Sequence, residues 1–238
     1  MTQPTPAISV VIPIYNEEAI LKAAVLELLE KLRTFPEKFE ILLAENGSSD
    51  RTLDIAVELT HKHPEVRFIA IGEPNYGKAL RAGVLSALGE IVVCDEIDLC
   101  DTDFHRRAID LLQTGAFDMV IGSKLLAGAQ DERPFVRHAA SLVYNGLLRA
   151  AVGFEGTDTH GLKAFKRDAL LPIVRACLVD RDVFASELVV RAYREGIRVR
   201  EIPVRVLEKR TPSINLTRRV PNVIKNVARL TWAVRVRG

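Results

Sequence analysis

The stretch Ile91-Val92-Val93-Cys94-Asp95-Glu96-Ile97-Asp98-Leu99-Cys100-Asp101 runs from β-branched residues straight into carboxylates. A short apolar run bounded by polar residues reads as a buried strand. Strand side chains alternate with period two, so a strand carried into the acids puts Glu96 and Asp98 on one side and Asp95 on the other. Two carboxylates held close repel each other, and a divalent cation bound to phosphate relieves that repulsion. The plainer alternative is a strand end whose acids are solvated ahead of a helix. The spacing alone leaves both open.

The pattern repeats on either side. Strands are predicted at Ile8–Ile14, Phe39–Ala44, Val66–Ile71, Ile91–Asp95 and Met119–Ile121. Between them, helical spacing of apolar residues predicts helices over Glu17–Leu32, Asp50–Leu59, Lys78–Leu88 and Asp103–Leu112. Near-continuously apolar strands alternating with helices mean a mostly parallel sheet flanked by helices, an α/β fold. Ligands in such sheets bind beyond the carboxyl ends of the strands. The second half is less regular. Helices are predicted at Val136–Val152, Asp168–Ala176 and Phe184–Arg194, and strands at Leu162–Phe165 and Val199–Val206. Asn215–Val234 reads as an amphipathic helix, dented or restarted at Pro221, with Val220, Val223, Ile224, Val227, Leu230 and Trp232 on its apolar side. No internal repeat or low-complexity linker divides the chain, so one domain is expected over 1–238.

Composition narrows the class. The 238 residues, 48% hydrophobic, suffice to bury a core. Cys94, Cys100 and Cys177 form no CxxC pair, which argues against a zinc site or disulfide framework and fits a reducing cytoplasm. No basic and apolar leader opens the chain, and no apolar run reaches bilayer-spanning length. From Glu201 onward there are nine Lys/Arg and two Glu, whereas the whole chain carries only +2. A basic end on a mildly acidic body calls for an anionic partner or a solvated helix face. Aromatics at 6% are too few to interleave with basic residues across a sheet, so no nucleic-acid partner is expected. No G-x-G-x-x-G follows the first strand, which disfavours a nicotinamide dehydrogenase.

Polar clusters stand at successive strand ends. Pro13-Ile14-Tyr15-Asn16-Glu17-Glu18 follows the first strand, where Asn16 or Glu17 suits a helix cap or a ligand contact. Glu45-Asn46-Gly47-Ser48-Ser49-Asp50-Arg51-Thr52 follows the second. There Gly47 allows a tight turn, Ser49 or Asp50 suits the helix cap, and a carboxylate suits sugar hydroxyls or a base N–H. Asn75-Tyr76-Gly77-Lys78-Ala79-Leu80-Arg81 follows the third, and its helix start with two cations is a diphosphate site or an ordinary turn.

Taken in order with Glu96-Ile97-Asp98-Leu99 and Val120-Ile121-Gly122-Ser123-Lys124, these segments resemble the family 2 glycosyltransferases, whose GT-A fold binds a nucleotide-sugar. Thr157-Asp158-Thr159-His160-Gly161-Leu162-Lys163, Glu187-Leu188, Glu201-Ile202-Pro203-Val204 and Lys209-Arg210-Thr211-Pro212-Ser213 resemble the dolichyl-phosphate mannosyltransferases and polyprenyl-phosphate glycosyltransferases. The resemblance implies three parts: 1–124 for the nucleotide-sugar, 125–212 for the acceptor and 213–238 as a basic amphipathic helix. It implies a Mg2+ or Mn2+ ion on Glu96 and Asp98. It assigns the nucleotide-sugar to Pro13, Tyr15, Asn16, Glu17, Glu45, Gly47, Ser48, Gly77, Lys78, Asp95 and Ile97. It assigns the acceptor phosphate to Lys163, Lys209, Arg210 and Ser213, and catalysis to Asp98, Asp158, Lys163 and Arg210. Two motifs depart from that family's usual pattern: Glu96 replaces an aspartate of the metal pair, and Glu45-Asn46 replaces Asp-Asp.

The implied reaction moves a hexose from GDP-mannose or a UDP-sugar to a polyprenyl or dolichyl phosphate. The acceptor places the protein at the cytoplasmic face of a membrane, attached peripherally or through a membrane partner. A hydroxyl acceptor is the rival within enzymes. A nucleotide-sugar-binding relative with weak or no turnover is the rival outside them, and Glu96 is the feature that favours it.

Overall fold

The computed structural model describes residues 5–132, 135–180, 183–206 and 216–235. The apolar runs form strands β1 (Ile8–Ile14), β2 (Phe39–Glu45), β3 (Val66–Ala70), β4 (Ile91–Cys94) and β5 (Met119–Ser123). They are joined by helices α1 (Leu21–Leu32), α2 (Thr52–Lys62), α3 (Tyr76–Ser86) and α4 (Thr102–Gln113). The second half adds β6 (Gln130–Asp131), α5 (Phe135–Val152), β7 (Lys163–Lys166), α6 (Arg167–Ala176), α7 (Phe184–Arg194), β8 (Val199–Pro203), β9 (Arg205–Val206) and α8 (Leu216–Arg235). The main sheet has seven strands in the order β3-β2-β1-β4-β7-β5-β8, and β6 pairs with β9 in a small second sheet. All neighbours in the main sheet are parallel except β7, which runs antiparallel to both β4 and β5.

Both faces of the sheet are covered, which is why its strands are apolar throughout. Val10 and Ile12 point to the face packed by Leu21, Val25 and Leu28 of α1, Ala56 and Leu59 of α2, and Phe104 and Ala108 of α4. Val11 and Leu42 point to the other face, packed by α3, α5, α6, α7 and α8 through residues such as Leu80, Leu148, Leu170, Leu188 and Leu230.

Several boundaries differ from those expected, each for a local reason. Helix α1 starts at Leu21 because Asn16 takes a left-handed φ of 52° and the Glu17 carbonyl closes a turn with the amides of Ile20 and Leu21. Strand β4 stops at Cys94, and Ile97–Leu99 form a turn closed by the Glu96 carbonyl on the amides of Leu99 and Cys100. Glu96 and Asp98 therefore share a turn, so the strand-alternation argument for their common side does not hold. The predicted strand Val199–Val206 is broken after Pro203, which has no amide to continue the ladder. Its first part pairs with β5 and its second with β6. Helix α8 is continuous through Pro221, and Leu230 is buried, but Trp232 is exposed instead of packing inward. The side chains of Val220, Val223 and Ile224 lie outside the described ones.

Candidate active site

The loops beyond β1, β2 and β3 are tied together by side chains that bond to backbone. The Asn16 amide donates to Ser48 Oγ at 3.0 Å, and the Ser49 amide donates back to Asn16 Oδ1 at 2.9 Å. The Glu17 amide donates to Thr52 Oγ1 at 2.7 Å, and the Arg51 amide to Glu18 Oε2 at 3.1 Å. Asn16 thus bridges two loops and does not cap α1. Asp50 Oδ1 accepts from the Thr52 amide at the start of α2, at 3.0 Å. Farther along, Asn46 Oδ1 accepts from the Asn75 amide at 2.5 Å, and Asn75 in turn caps α3 by accepting from the Lys78 amide at 3.1 Å. These bonds satisfy loop donors that water would otherwise have to satisfy. Gly47 sits where they cross: its φ is +73°, and a Cβ there would lie 2.8 Å from the Glu73 amide nitrogen.

The expected nucleotide-side residues are distributed accordingly. Pro13 ends within the β1 ladder, and Tyr15 is exposed just beyond it. Glu45 is buried, with Oε1 accepting from the Ser48 amide at 2.5 Å. Gly77 is buried in the first turn of α3. Lys78 is exposed and pairs with Glu73 at 2.6 Å, which raises its pKa. Arg81 turns away from the loops to the Arg175 carbonyl at 3.0 Å and to Asp180.

At the end of β4 the acids divide into two kinds. Asp95 is buried, with Oδ2 2.5 Å from His105 Nε2 and Oδ1 accepting from the Glu96 amide at 2.7 Å. Both of its oxygens are committed to protein, so it braces the turn. His105 reaches it from α4, completely buried, and its Nδ1 has no hydrogen-bond partner among the described residues. Ile97 is buried beneath the turn. Glu96 is exposed to a cleft, and protein crowds around it. Desolvation first, then the charges of Asp98 and Asp95, push its carboxyl pKa upward.

That cleft holds a cavity of about 260 Å³ whose lining includes Tyr76, Cys94, Asp95, Glu96, His160, Gly161 and Lys163. Tyr76, itself part-exposed, faces the acids; desolvation by the protein crowded around it, then the Glu96 charge, raises its phenol pKa well above the ordinary value. Burial likewise pushes the Cys94 thiol up to about 12, so it contributes no thiolate.

The opposite wall is cationic. Lys163 begins β7 directly opposite Cys94 in the antiparallel register. It is buried, and its Nζ donates to the Gly161 carbonyl at 2.6 Å. Desolvation lowers its pKa, with Lys124 adding to that effect and Asp158 and Glu96 opposing it. Lys124 Nζ meets Asp158 Oδ2 at 2.9 Å, and both side chains are buried. Asp158 Oδ1 accepts from the His160 amide at 2.9 Å. Asp158 therefore holds a cation and a turn at once. Burial first, then the Lys124 and Lys163 cations, push His160 down to about 4. Its ring packs edge-on against Tyr144 of α5, with centroids 4.9 Å apart.

Sequence reasoning missed Lys124, Tyr76, Tyr144 and His105 as site residues. Lys124 stands one residue after Ser123 in a segment that carries the family resemblance, but a lone lysine after a strand gives no signal of its carboxylate partner. His105 gives none either, since its partner lies ten positions away on another element. Lys209, Arg210 and Ser213 lie outside the described residues.

The donor set can be tested for a divalent ion. Among the described residues no three His, Cys, Asp or Glu side chains converge to cage an ion. Mg2+ and similar ions commonly take one or two carboxylates and complete their shell with water and substrate phosphate. Glu96, which lines the cleft, and Asp98, half-buried on the turn and close enough for its charge to act on Glu96, fit that mode.

Two outcomes check this geometry. His105→Phe leaves a buried carboxylate oxygen of Asp95 without its partner, which costs about 1–3 kcal/mol or more. Urea unfolding should show that loss, with partial recovery in His105→Asn; a variant as stable as the parent would remove the brace. The second concerns His160, whose pKa moves from an ordinary 6.5 to about 4. Between those values the unfolded chain binds more protons, so the contribution is complete above 6.5 and is lost as pH falls toward 4. Melting temperature should therefore drop more steeply over that window in the parent than in His160→Gln, and parallel curves would contradict the assignment.

Comparison with known proteins identifies the family and the fold. The family described as Glycosyl transferase family 2 matches residues 9–172. Glycosyltransferase AglD of Haloferax volcanii is 30% identical over 236 residues, covering 97% of this chain and 38% of that protein. A dolichyl-phosphate beta-glucosyltransferase of Trichomonas vaginalis is 31% identical, covering 85% of this chain and 66% of its own length. The chain thus spans less than two thirds of either relative. Glucosyl-3-phosphoglycerate synthase from Mycobacterium tuberculosis, solved with UDP, superposes with a TM-score of 0.70 at 19% identity, covering 95% of this chain and 80% of that one. It shares the fold, and another of its structures contains Mn2+. The chain belongs to glycosyltransferase family 2 and has the GT-A fold.

Proposed function

We propose that the protein transfers a hexose from a nucleoside-diphosphate sugar to a polyprenyl or dolichyl phosphate. The observation that carries this reading is the polarity of the cleft: Glu96 after β4 and Lys163 at the start of β7 both line it, with Asp98 on the turn that follows Glu96 and Lys124, just after β5, paired to Asp158. A phosphate monoester acceptor is already ionised, so it needs charge pairing and orientation more than a general base. Lys124 pairs with Asp158 while the Gly161 carbonyl holds Lys163, so the two buried ammonium groups leave net positive charge for such a group. Both Asp158 oxygens are engaged, so the structure offers no support for Asp158 as the base a hydroxyl acceptor would require. The named activities of the relatives, dolichyl-phosphate glucosyl transfer and undecaprenyl-phosphate 4-deoxy-4-formamido-L-arabinose transfer, support a lipid phosphate acceptor.

On this reading, residues 1–124 hold the donor, 125–212 receive the acceptor and 213–238 face the membrane. Glu96 and Asp98 would hold Mg2+ or Mn2+, which supplies positive charge to the departing diphosphate when bound. Glu45, Asn16 and Ser48 shape the nucleotide end through the tied loops. Tyr76 offers a protonated phenol beside the acids. Lys163 orients the attacking phosphate oxygen, with Lys124 and Asp158 fixing the local charge. Lys209, Arg210 and Ser213 are proposed to extend the phosphate contact. Attachment is peripheral, at the cytoplasmic face or through a membrane partner; among the described residues no helix is long and apolar enough to cross a membrane.

Incubation with UDP-glucose, GDP-mannose or UDP-N-acetylglucosamine, Mn2+ and polyprenyl phosphate should yield a glycolipid extractable into organic solvent with at least one donor. Asp98→Asn should lower turnover by about 100-fold, the scale seen when one group aimed at developing charge is removed. Lys163→Met should raise the acceptor KM by about tenfold, as loss of one charge contact of roughly 1.4 kcal/mol would. No lipid product from any of the three donors, or near-normal Asp98→Asn turnover, would contradict the proposal.

A further inference from the structure

Helix α5 turns an apolar strip outward, edged by the exposed Arg149. At 3.6 residues per turn, Tyr144, Asn145, Leu148 and Val152 share the face turned to the protein. Leu142, Val143, Gly146, Leu147 and Ala150 share the face turned outward, and all five are exposed. Leu142 is 52% exposed, Val143 61% and Leu147 40%, so three large apolar residues meet solvent side by side. A surface helix normally places charge there, and a contiguous apolar patch marks a docking site.

The inner face of the same helix reaches the cleft. Tyr144 packs edge-on against His160, and its hydroxyl donates to Ser186 Oγ at 3.1 Å. The width of one helix, about 10 Å, therefore separates the cavity from the exposed apolar strip.

The occupant is identified by charge. α5 packs beside α8. Together these helices carry seven Lys/Arg, two in α5 and five in α8, and no Asp or Glu. The whole chain has 33 Lys/Arg and 31 Asp/Glu, so every acid lies elsewhere. A second copy docked on the same face would set cations against cations. On α8, Lys225, Arg229 and Arg235 are exposed, as is Trp232 at 47%. An apolar strip flanked by cations and an exposed tryptophan matches the boundary of an anionic lipid bilayer, where apolar side chains enter the acyl region and cations meet headgroups.

We infer that the outer faces of α5 and α8 form the surface by which the protein lies on an anionic membrane. This rests on the lipid-phosphate reading for its purpose: the acceptor's tail stays in the bilayer while its head passes α5 into the cleft.

The test uses the full chain and vesicles free of donor and acceptor. Trp232 is the sole tryptophan, so its fluorescence reports on α8 directly. Vesicles of phosphatidylcholine with phosphatidylglycerol should sediment the protein at least about tenfold more strongly than phosphatidylcholine alone, and less so in high salt. Brominated lipid should quench Trp232. The triple substitution Leu142→Ser, Val143→Ser, Leu147→Ser should lower binding by about tenfold or more, and Val143→Glu alone should act in the same direction. Both variants should keep parental activity on a short-chain, water-soluble polyprenyl phosphate. Parental binding to the vesicles by the variants, no binding by the parent, or a parental dimer that the triple substitution dissociates would each overturn the inference. Absence of transfer to the short-chain phosphate by the parent would instead count against the proposed reaction, whatever the vesicles show.

Discussion

The reversed strand β7 is the constraint on which the site depends. Six strands run one way, and their carboxyl ends gather the polar loops on one edge. Were β7 parallel as well, its amino end would lie at the opposite edge. Because it is antiparallel, its first residue, Lys163, stands opposite Cys94, the last residue of β4. A cation is thereby fixed across a narrow cavity from the acids that follow β4. Gly161, just before β7, can approach so closely that a Cβ there would meet the Gly122 carbonyl oxygen at 1.8 Å. The adjoining Gly122 amide donates to the Leu162 carbonyl at 2.8 Å, which holds this segment against β5. Backbone packing thus sets the spacing of the two charged walls.

The walls are built differently because their charges have different tasks. The acidic wall keeps Glu96 exposed to the cleft. Asp95 is withdrawn and braced by His105, and Asp98 stands half-buried on the turn that follows. The basic wall is closed: Lys124, Asp158 and Lys163 are all buried. Burying charge is costly unless it is paired and hydrogen-bonded, and here Asp158 pairs with Lys124 while a carbonyl holds Lys163. The remaining positive charge has no carboxylate of its own in that cluster, so an anionic group entering the cavity gains more there than it would at an exposed lysine.

Much of the framework could be read from the chain. The strand positions of the first half followed from apolar runs, and helix α7 began and ended where its periodicity predicted. The order of the strand-end clusters by itself pointed to the family. What escaped was whatever depends on partners far apart in sequence. The direction of β7 is set by a pairing with β4 some seventy positions upstream, which four residues cannot announce. Asn16 looked like a cap because its type suits one, yet its left-handed backbone and its bonds to Ser48 and Ser49 arise from the neighbouring loop. Pro203 is visible in the sequence, but one proline does not by itself announce a break in an otherwise strand-like run. The outward face of α5 escaped because apolar content at helical spacing reads as core; only packing shows which of its two apolar sides is covered.

The central claim is that one cleft carries two separate anion sites of different chemistry. Isothermal titration with a nucleoside diphosphate and with a short-chain polyprenyl phosphate tests it directly. The account predicts that the diphosphate binds only with Mn2+, that the monophosphate binds without it, and that each still binds when the other is saturating. Mutual exclusion of the two ligands, or the same metal requirement for both, would contradict it.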